Sequence, residues 1–225
     1  MRPTAVLLDL DGTLSDSAPG LVASLRHMHV GLGLPVPDDA ELRRWLGPPT
    51  ATSLADRGHD AATIERGVAL FREHLLDGGG LLDQATYPGV PALLGDLRLA
   101  GVPTSILTFK LQEDAEAVAD HLGLRASLGA VHGRIPEDDG TSKAPLIARA
   151  LAELGVPPTR DVVMVGDRRH DVEGAHEAGV TAIGVTWGYG SRHELEAAGA
   201  DRVVEDVDAL RSLLLGWQGA VGLGG

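Results

Sequence analysis

Two aspartates near the N-terminus have the spacing to act together. Asp9 and Asp11 lie two residues apart at the end of the apolar run LLDLDG, where a buried strand ordinarily carries no charge. Alternate residues of an extended strand point to the same side, so both carboxylates project together. Two such charges repel unless a cation lies between them or one is protonated. The alternative, an Asp-Gly hairpin turn, is disfavoured because a helical pattern follows Thr13.

A second acidic pair lies in GDRRHD, residues 166–171. Asp167 ends the apolar run VVMV, and Asp171 follows four residues later, so both carboxylates can face one side of a loop that enters a helix. Taken alone, this pattern is equally consistent with a helix cap. Together with Asp9 and Asp11 at one sheet edge, it predicts an oxygen-rich site suited to Mg2+.

Lysine is rare in this chain. Seventeen of the nineteen cationic residues are Arg, and the two exceptions are Lys110 and Lys143. Lys110 follows the apolar run TSILT, and Lys143 opens the helical pattern SKAPLIARAL. A compact ammonium group suits a phosphate site in which a guanidinium fork does not fit. For Lys110 an exposed surface position is the competing interpretation.

Short apolar runs alternate with amphipathic segments along most of the chain. The predicted strands are 4–10, 104–108, 161–167 and 181–185, with weaker candidates at 126–133 and 201–204. The predicted helices are 88–101, 111–123, 142–155, 170–179 and 192–200. This alternation predicts an α/β fold with a doubly wound, mostly parallel sheet. Such sheets bind ligands at the carboxyl ends of their strands, where the acidic pairs fall.

One segment interrupts the alternation. Residues 17–85 contain helical patterns and no convincing strand, which predicts an inserted all-α cap subdomain. The catalytic core would then comprise residues 1–16 and 86–216. The stretch 217–225 is glycine-rich and is expected to be a loosely held tail.

Charge and composition restrict the partners. The formal net charge of -13 argues against nucleic acid or an anionic membrane as the main partner. The absence of cysteine excludes disulfides and thiolate sites. No apolar run reaches the roughly 18 residues of a membrane span, and Asp9 comes too early in the N-terminal stretch MRPTAVLLDLDG for a signal peptide. A cytoplasmic location is expected, and the oligomeric state is left open.

The motifs together resemble the haloacid dehalogenase superfamily. The resemblance consists of DLDGT at 9–13, Thr108 at the end of the second core strand, Lys143 at the start of a later helix, and GDRRHD at 166–171. The phosphoglycolate-phosphatase-like branch, with a helical cap, is the most similar. YPGV at 87–90 resembles the return from the cap, and GVTWGYGS at 184–191 resembles a late loop of the core.

The resemblance implies a Mg2+-dependent phosphatase with an aspartyl-phosphate intermediate. Asp9 would be the nucleophile, and Asp11 would protonate the leaving oxygen and then activate water. The implied Mg2+ ligands are Asp9, the main-chain carbonyl of Asp11, and Asp167, with Asp171 in direct or outer support. The implied phosphate-binding set is Leu10, Thr108, Phe109, Lys110 and Lys143. Phe109 departs from the family, which often has a small polar residue there, and Ala144 separates Lys143 from the proline that often follows it directly.

The implied substrate is a small phosphorylated metabolite such as 2-phosphoglycolate, selected by the cap. The candidate cap residues for this selection are Arg43, Arg44 and Trp45, whose competing interpretation is an exposed helix face with one half-buried tryptophan. The nine histidines show no metal-ligand spacing tied to the acidic pairs, although His170 lies inside the fourth motif.

Three other activities are consistent with parts of this pattern. A phosphosugar mutase would use the same Asp9 and Asp11 but return the phosphoryl group to a sugar. A phospho-accepting switch also combines clustered aspartates with Thr and Lys, but that module is about half this length and lacks a cap. A dehalogenase is disfavoured because displacement at carbon does not need the acid that Asp11 supplies.

Overall fold

The computed structural model describes residues 2–135 and 141–219. The strands within these ranges are β1 (Ala5–Leu8), β2 (Ser15–Asp16), β3 (Ala85–Thr86), β4 (Thr104–Leu111), β5 (Ala130–Arg134), β6 (Val162–Gly166), β7 (Thr181–Val185) and β8 (Arg202–Val204). The α-helices are α1 (Ala18–Leu32), α2 (Asp39–Arg43), α3 (Thr50–Ala55), α4 (Ala61–Asp77), α5 (Val90–Leu99), α6 (Gln112–His121), α7 (Ala144–Leu154), α8 (Arg169–Glu177), α9 (Arg192–Ala197) and α10 (Val207–Leu215).

Six parallel strands form one sheet in the order β5-β4-β1-β6-β7-β8. The central strand β1 pairs with β4 on one side and β6 on the other, so the strand order reverses around it. Ligands of doubly wound sheets bind at such a reversal. The predicted doubly wound, mostly parallel α/β fold is therefore confirmed, and Asp9 directly follows the central strand.

Helices cover both faces of this sheet because β1 is apolar on both sides. Val6 and Leu8 pack in one buried cluster with Leu93 and Leu97 of α5. Ala5 and Leu7 face the opposite cluster, which contains Leu146 and Ile147 of α7. A strand that is buried on both faces has an uninterrupted apolar sequence, which is why the run AVLL predicts a strand.

The segment between β2 and β3 is helical and has an apolar cluster of its own. Helices α1 to α4 surround Leu25, Met28, Trp45 and Leu54. Gly67 of α4 permits this packing, since a Cβ there would lie 2.8 Å from a methyl carbon of Leu54. Within the described residues, no helix is both long enough and apolar enough to cross a bilayer.

Three of these elements were not predicted from the sequence, namely β2, β3 and the helix α10 (Val207–Leu215). Ser15 pairs with Thr86, and Asp16 with Ala85, in a two-stranded antiparallel ribbon that joins the two ends of the helical segment. Two-residue strands carry too little periodicity to be recognised. In the sheet, β4 continues to Leu111, beyond the expected end at residue 108.

The predicted tail begins too early, because its first residue belongs to the packed core. Trp217 is only 1% exposed and packs in the core cluster that covers one face of the sheet. Its indole Nε1 donates a hydrogen bond to Asp161 Oδ1 at 3.3 Å. A large aromatic side chain gains much from burial, so the packed chain extends past residue 216. Residues 220–225 of the predicted tail lie outside the described residues.

Candidate active site

Three aspartates meet at the carboxyl edge of the sheet. Asp9 follows β1, Asp167 follows the neighbouring β6, and Asp171 lies in the first turn of α8. Each offers a carboxylate oxygen, and these oxygens lie within 4.8 Å of one another. All three residues are buried, and Asp167 is fully inaccessible to solvent. The two acidic motifs thus converge because parallel strands end at the same edge.

Glycines provide the space that these carboxylates occupy. A Cβ on Gly166 would lie 2.0 Å from Cγ of Asp171. A Cβ on Gly12, whose φ is 86°, would lie 2.4 Å from Asp167 Oδ2, as would a Cβ on Gly188. The glycines of DLDGT and GDRRHD are therefore required by the close packing of the acidic groups.

We expect Gly166→Ala to lower the free energy of unfolding by about 2 kcal/mol, the usual cost of forcing an extra carbon into a packed site. The added methyl group would displace Asp171. Urea unfolding measures this change. Gly95→Ala is the matched control, because no heavy atom lies within 4 Å of a Cβ there and the change stabilises a helix by about 0.5–1 kcal/mol. Equal stabilities of the two variants would contradict the packing argument.

Lys143 connects two of the three carboxylates. Its Nζ lies 2.6 Å from Asp9 Oδ1 and 2.5 Å from Asp171 Oδ1, and its side chain is 4% exposed. Gly174 of α8 lets it approach, since a Cβ there would lie 2.8 Å from Lys143 Cβ. Burial opposes the charge, but attraction by Asp171 and Asp9 outweighs it and raises the pKa of Lys143 above its usual value. Lys143 is therefore an ammonium ion.

The acidic cluster carries more negative charge than its surroundings stabilise. Burial raises the pKa of Asp9 well above its usual range, and repulsion by Asp171 and Asp167 adds to this against the attraction of Lys143. Burial and repulsion by Asp171 also raise the pKa of Asp167 to about 7. A cation at the cluster would relieve both effects.

The donor set fits Mg2+. The cluster consists of carboxylate oxygens, which this hard ion prefers. Asp11 Oδ1 is buried and has no hydrogen-bond partner among the described residues, so an oxygen acceptor beside the cluster is still free. Within the described residues, no histidine belongs to a group of metal-ligand geometry.

The other expected phosphate-binding residues lie around the same point. The side chain of Lys110 is 6% exposed, and its Nζ lies 3.1 Å from Asp11 Oδ2, which excludes the competing surface interpretation. The Oγ1 of Thr108 accepts a hydrogen bond from the main-chain N–H of Lys110 at 3.2 Å. Phe109 is buried, and its ring centroid lies 5.4 Å from Lys143 Nζ. The side chain of Leu10 packs in the sheet core, so only its main chain is available to the site.

A cavity of about 170 Å³ lies above these residues, between the sheet edge and the helical segment. Asp9, Asp11, Thr108 and Lys143 line its floor. Its opposite wall is mostly apolar and includes Leu21, Leu25, Trp45, Phe71 and Leu75.

Two of the three proposed cap residues lie elsewhere. Arg43, the last residue of α2, and Arg44, which follows it, are both exposed and are not part of the cavity lining. Arg44 instead pairs with Glu41 at 2.7 Å. Trp45 does line the cavity, and its Nε1 is buried without a hydrogen-bond partner among the described residues. The expectation is therefore corrected for the two arginines.

Charged residues of the cavity wall were missed from the sequence. Arg72 of α4 donates to Asp114 Oδ2 of α6 at 2.7 Å, which joins the helical segment to the core beside the cavity. Arg168 also lines the cavity and contacts Gly47 of the helical segment. No local sequence signal marks these pairs, since their partners are distant in the chain. His170, whose pKa burial lowers, lines the cavity beside Phe109.

The loop between β7 and α9 contacts both the acidic cluster and the base of the helical segment. The main-chain N–H of Tyr189 donates to Asp167 Oδ2 at 2.6 Å. Its hydroxyl accepts from the main-chain N–H of Ser17 at 2.8 Å. Trp187 Nε1 donates to the carbonyl of Thr13 at 3.0 Å. Burial raises the pKa of Tyr189 above its usual value, so the hydroxyl stays protonated.

Comparisons with known proteins agree with this geometry. The family model described as haloacid dehalogenase-like hydrolase matches residues 6–185. The chain belongs to this family. The predicted family, the predicted α/β fold and the prediction that the protein is a phosphatase are therefore confirmed.

Relatives within the family have different names. A protein of Mycobacterium tuberculosis named tyrosine-protein kinase PtkA is 35% identical, over 94% of this chain and 72% of its own. A 5'-nucleotidase of Pseudomonas aeruginosa is 33% identical, over 95% of this chain and 96% of its own. A phosphoglycolate phosphatase of Chromobacterium violaceum is 35% identical, over 93% and 96%. The crystal structure of a predicted phosphatase from Clostridium acetobutylicum superposes with a TM-score of 0.89 at 31% identity, over 96% of this chain and 100% of its own.

Proposed function

We propose that this protein is a Mg2+-dependent phosphomonoester hydrolase that acts on a small phosphorylated metabolite through an aspartyl phosphate on Asp9. One observation carries the proposal. Asp9 lies on the floor of a cavity, 2.6 Å from a buried lysine ammonium and beside two further buried carboxylates. This arrangement supports the roles of Asp9 as nucleophile, of Lys143 as the cation for the phosphoryl oxygens, and of the three carboxylates as a metal site. The cap in this proposal is residues 17–85, and the core is residues 1–16 and 86–216.

The reaction would proceed in two displacements. A carboxylate oxygen of Asp9 forms a bond to phosphorus as the ester P–O bond breaks, and Asp11 gives its proton to the leaving oxygen. Water then attacks phosphorus, the bond to Asp9 breaks, and Asp11 takes the proton of the water. Lys110, 3.1 Å from Asp11 Oδ2, would hold this carboxyl group in place.

Charge on the transferred phosphoryl group would be stabilised from two sides. Lys143 and the Thr108 hydroxyl would contact its oxygens, where fixed charges and dipoles contribute most. Asp9, the main-chain carbonyl of Asp11, and Asp167 would hold Mg2+, with Asp171 in support. The bound ion would neutralise phosphoryl charge and keep Asp9 ionised.

The substrate candidates follow from the relatives and the cavity wall. The phosphoglycolate phosphatase makes 2-phosphoglycolate the first candidate. The 5'-nucleotidase makes nucleoside monophosphates the second. The apolar wall that includes Trp45, Phe71 and Leu75 favours the second candidate, because a nucleobase has aromatic surface and glycolate does not.

Trp45→Phe tests the contribution of the wall to specificity. The change keeps an aromatic ring but removes the unpartnered indole N–H. We expect KM to rise about 3- to 10-fold for a substrate with a polar leaving group, the effect of one lost hydrogen bond, with kcat nearly unchanged. Steady-state kinetics measure both constants, and methyl phosphate, which has no polar group to bind, is the control substrate. An unchanged KM for every substrate would exclude a contribution of the Trp45 indole N–H to substrate binding.

The competing activities remain distinguishable by their products. A phosphosugar mutase would isomerise a hexose phosphate with little phosphate release, and a phospho-accepting switch would hold its aspartyl phosphate without turnover. Because one relative is named a tyrosine kinase, ATP and a tyrosine-containing peptide belong in the same assay. A cytoplasmic location stays a prediction.

The experiment is a measurement of phosphate release from a panel of phosphomonoesters, with Mg2+ and with chelator. The panel contains 2-phosphoglycolate, several 5'-nucleotides and aryl phosphates. We expect metal-dependent release that is concentrated on one class. No release from any compound would contradict the hydrolase and favour a mutase or a switch.

A further inference from the structure

Tyr189 occupies an unusual position between two parts of the molecule. At one end its main-chain N–H donates to Asp167 Oδ2 at 2.6 Å. At the other end its hydroxyl bonds to Ser17, with 2.8 Å to the main-chain nitrogen and 3.0 Å to Oγ. The hydroxyl also donates to Asp16 Oδ1 at 3.4 Å. Residues 16 and 17 are the point at which the chain leaves β2 and enters α1.

The loop around Tyr189 packs so closely against Asp167 that the loop and the aspartate must move together. A Cβ on Gly188 would lie 2.4 Å from Asp167 Oδ2, and a Cβ on Gly190 would lie 1.9 Å from the main-chain oxygen of Asp167. Side chains cannot approach this closely, so the loop backbone itself packs on the aspartate. A displacement of this loop therefore changes the orientation of the Asp167 carboxylate.

The side chain of Tyr189 contacts the helical segment. Ser17 is buried, and the ring of Tyr189 packs against the apolar cluster formed by α1 to α4. The Ser17 N–H is one of the free donors at the start of α1, and the tyrosine hydroxyl satisfies it. A movement of α1 relative to the sheet would thus pull on the tyrosine.

We propose that Tyr189 is a positioning residue that couples the placement of α1, and with it the helical segment, to the orientation of Asp167. The inference rests on the proposed function in one respect, the assignment of Asp167 as a Mg2+ ligand. By linkage the coupling acts in both directions. Metal bound at Asp167 restrains the base of α1, and a helical segment held in place improves the metal site.

The variant Tyr189→Phe separates this link from the rest of the loop. It keeps the ring, the main-chain bond to Asp167 and the anchor from Trp187 to Thr13, but it removes the bonds to Ser17 and Asp16. Thr186→Val is the matched control. It removes a hydroxyl from the same loop, where Oγ1 donates to the carbonyl of Val204 in the sheet at 3.4 Å.

The test combines calorimetry of Mg2+ binding with hydrogen exchange of peptides that span residues 14–20, with and without Mg2+. In the wild type we expect Mg2+ to slow exchange in these peptides. In Tyr189→Phe this slowing should disappear, and the Kd for Mg2+ should rise about 3- to 10-fold, in the range of one lost hydrogen bond. Thr186→Val should behave as the wild type.

The coupling is overturned if Tyr189→Phe retains the wild-type Kd and the wild-type response of residues 14–20. It is also overturned if only the melting temperature falls, because that is the effect of a purely structural contact. A wild-type protein in which Mg2+ binds without altering exchange at residues 14–20 would count against it equally. Neither readout uses turnover, so failure of the proposed hydrolase activity would appear separately, as absence of phosphate release.

Discussion

Asp9→Asn is expected to reduce kcat on the order of 10⁴-fold or more, as removal of a covalent nucleophile does in other enzymes. The amide has the shape of the carboxylate but cannot form a stable bond to phosphorus. Phosphate release from the best substrate of the panel measures the loss. Residual activity within tenfold of the wild type would exclude Asp9 as the nucleophile.

The same substitution should leave the fold intact. Asp9 is buried beside Asp167 and Asp171, and both its burial and the repulsion by these carboxylates disfavour its charge and raise its pKa. A neutral amide removes that repulsion, while Lys143 retains its contact with Asp171 at 2.5 Å. We therefore expect a melting temperature, without Mg2+, at least equal to that of the wild type. Asp83→Asn, at an exposed position, is the control for the chemical change itself.

Lys143→Arg is expected to reduce kcat by about 10²- to 10³-fold although the charge is kept, a loss typical of removing one donor to the transition state. The side chain is 4% exposed and contacts Asp9 and Asp171 through a single nitrogen. Gly174 lies against its Cβ, and the Phe109 ring lies near its Nζ. A planar guanidinium needs more room and places its nitrogens differently.

The control for this variant is Arg44→Lys, which exchanges the same two residue types on the exposed surface. It should show wild-type kinetics. If Lys143→Arg also retained wild-type kcat, the rarity of lysine in this chain would have no connection with the active site.

The acidic cluster and the sheet were predictable because their signals are local. A strand buried on both faces is an uninterrupted apolar run, and an aspartate at its carboxyl end lies at the ligand-binding edge. Asp9, Asp167 and Asp171 can therefore be placed together from the sequence alone. Lys143 can be placed near them as well, since a residue that opens a crossover helix lies at the same edge.

The remaining features depend on contacts between distant parts of the chain. The bond between Arg72 and Asp114 joins two helices 42 residues apart in sequence. The contact between Tyr189 and Ser17 spans 172 residues. The glycines around Trp217 predict a loose tail, yet burial of its ring outweighs their effect on the local chain.

The most direct test of the central claim is to look for the phosphoryl group on Asp9. The enzyme is mixed with the best substrate, labelled in its phosphoryl group, and quenched with acid within milliseconds, and the labelled peptide is identified by mass spectrometry. We predict a label on Asp9 that appears before free phosphate, decays as phosphate is released, and is absent in Asp9→Asn. Phosphate release with no label on the protein, or a label on another residue, would contradict the mechanism.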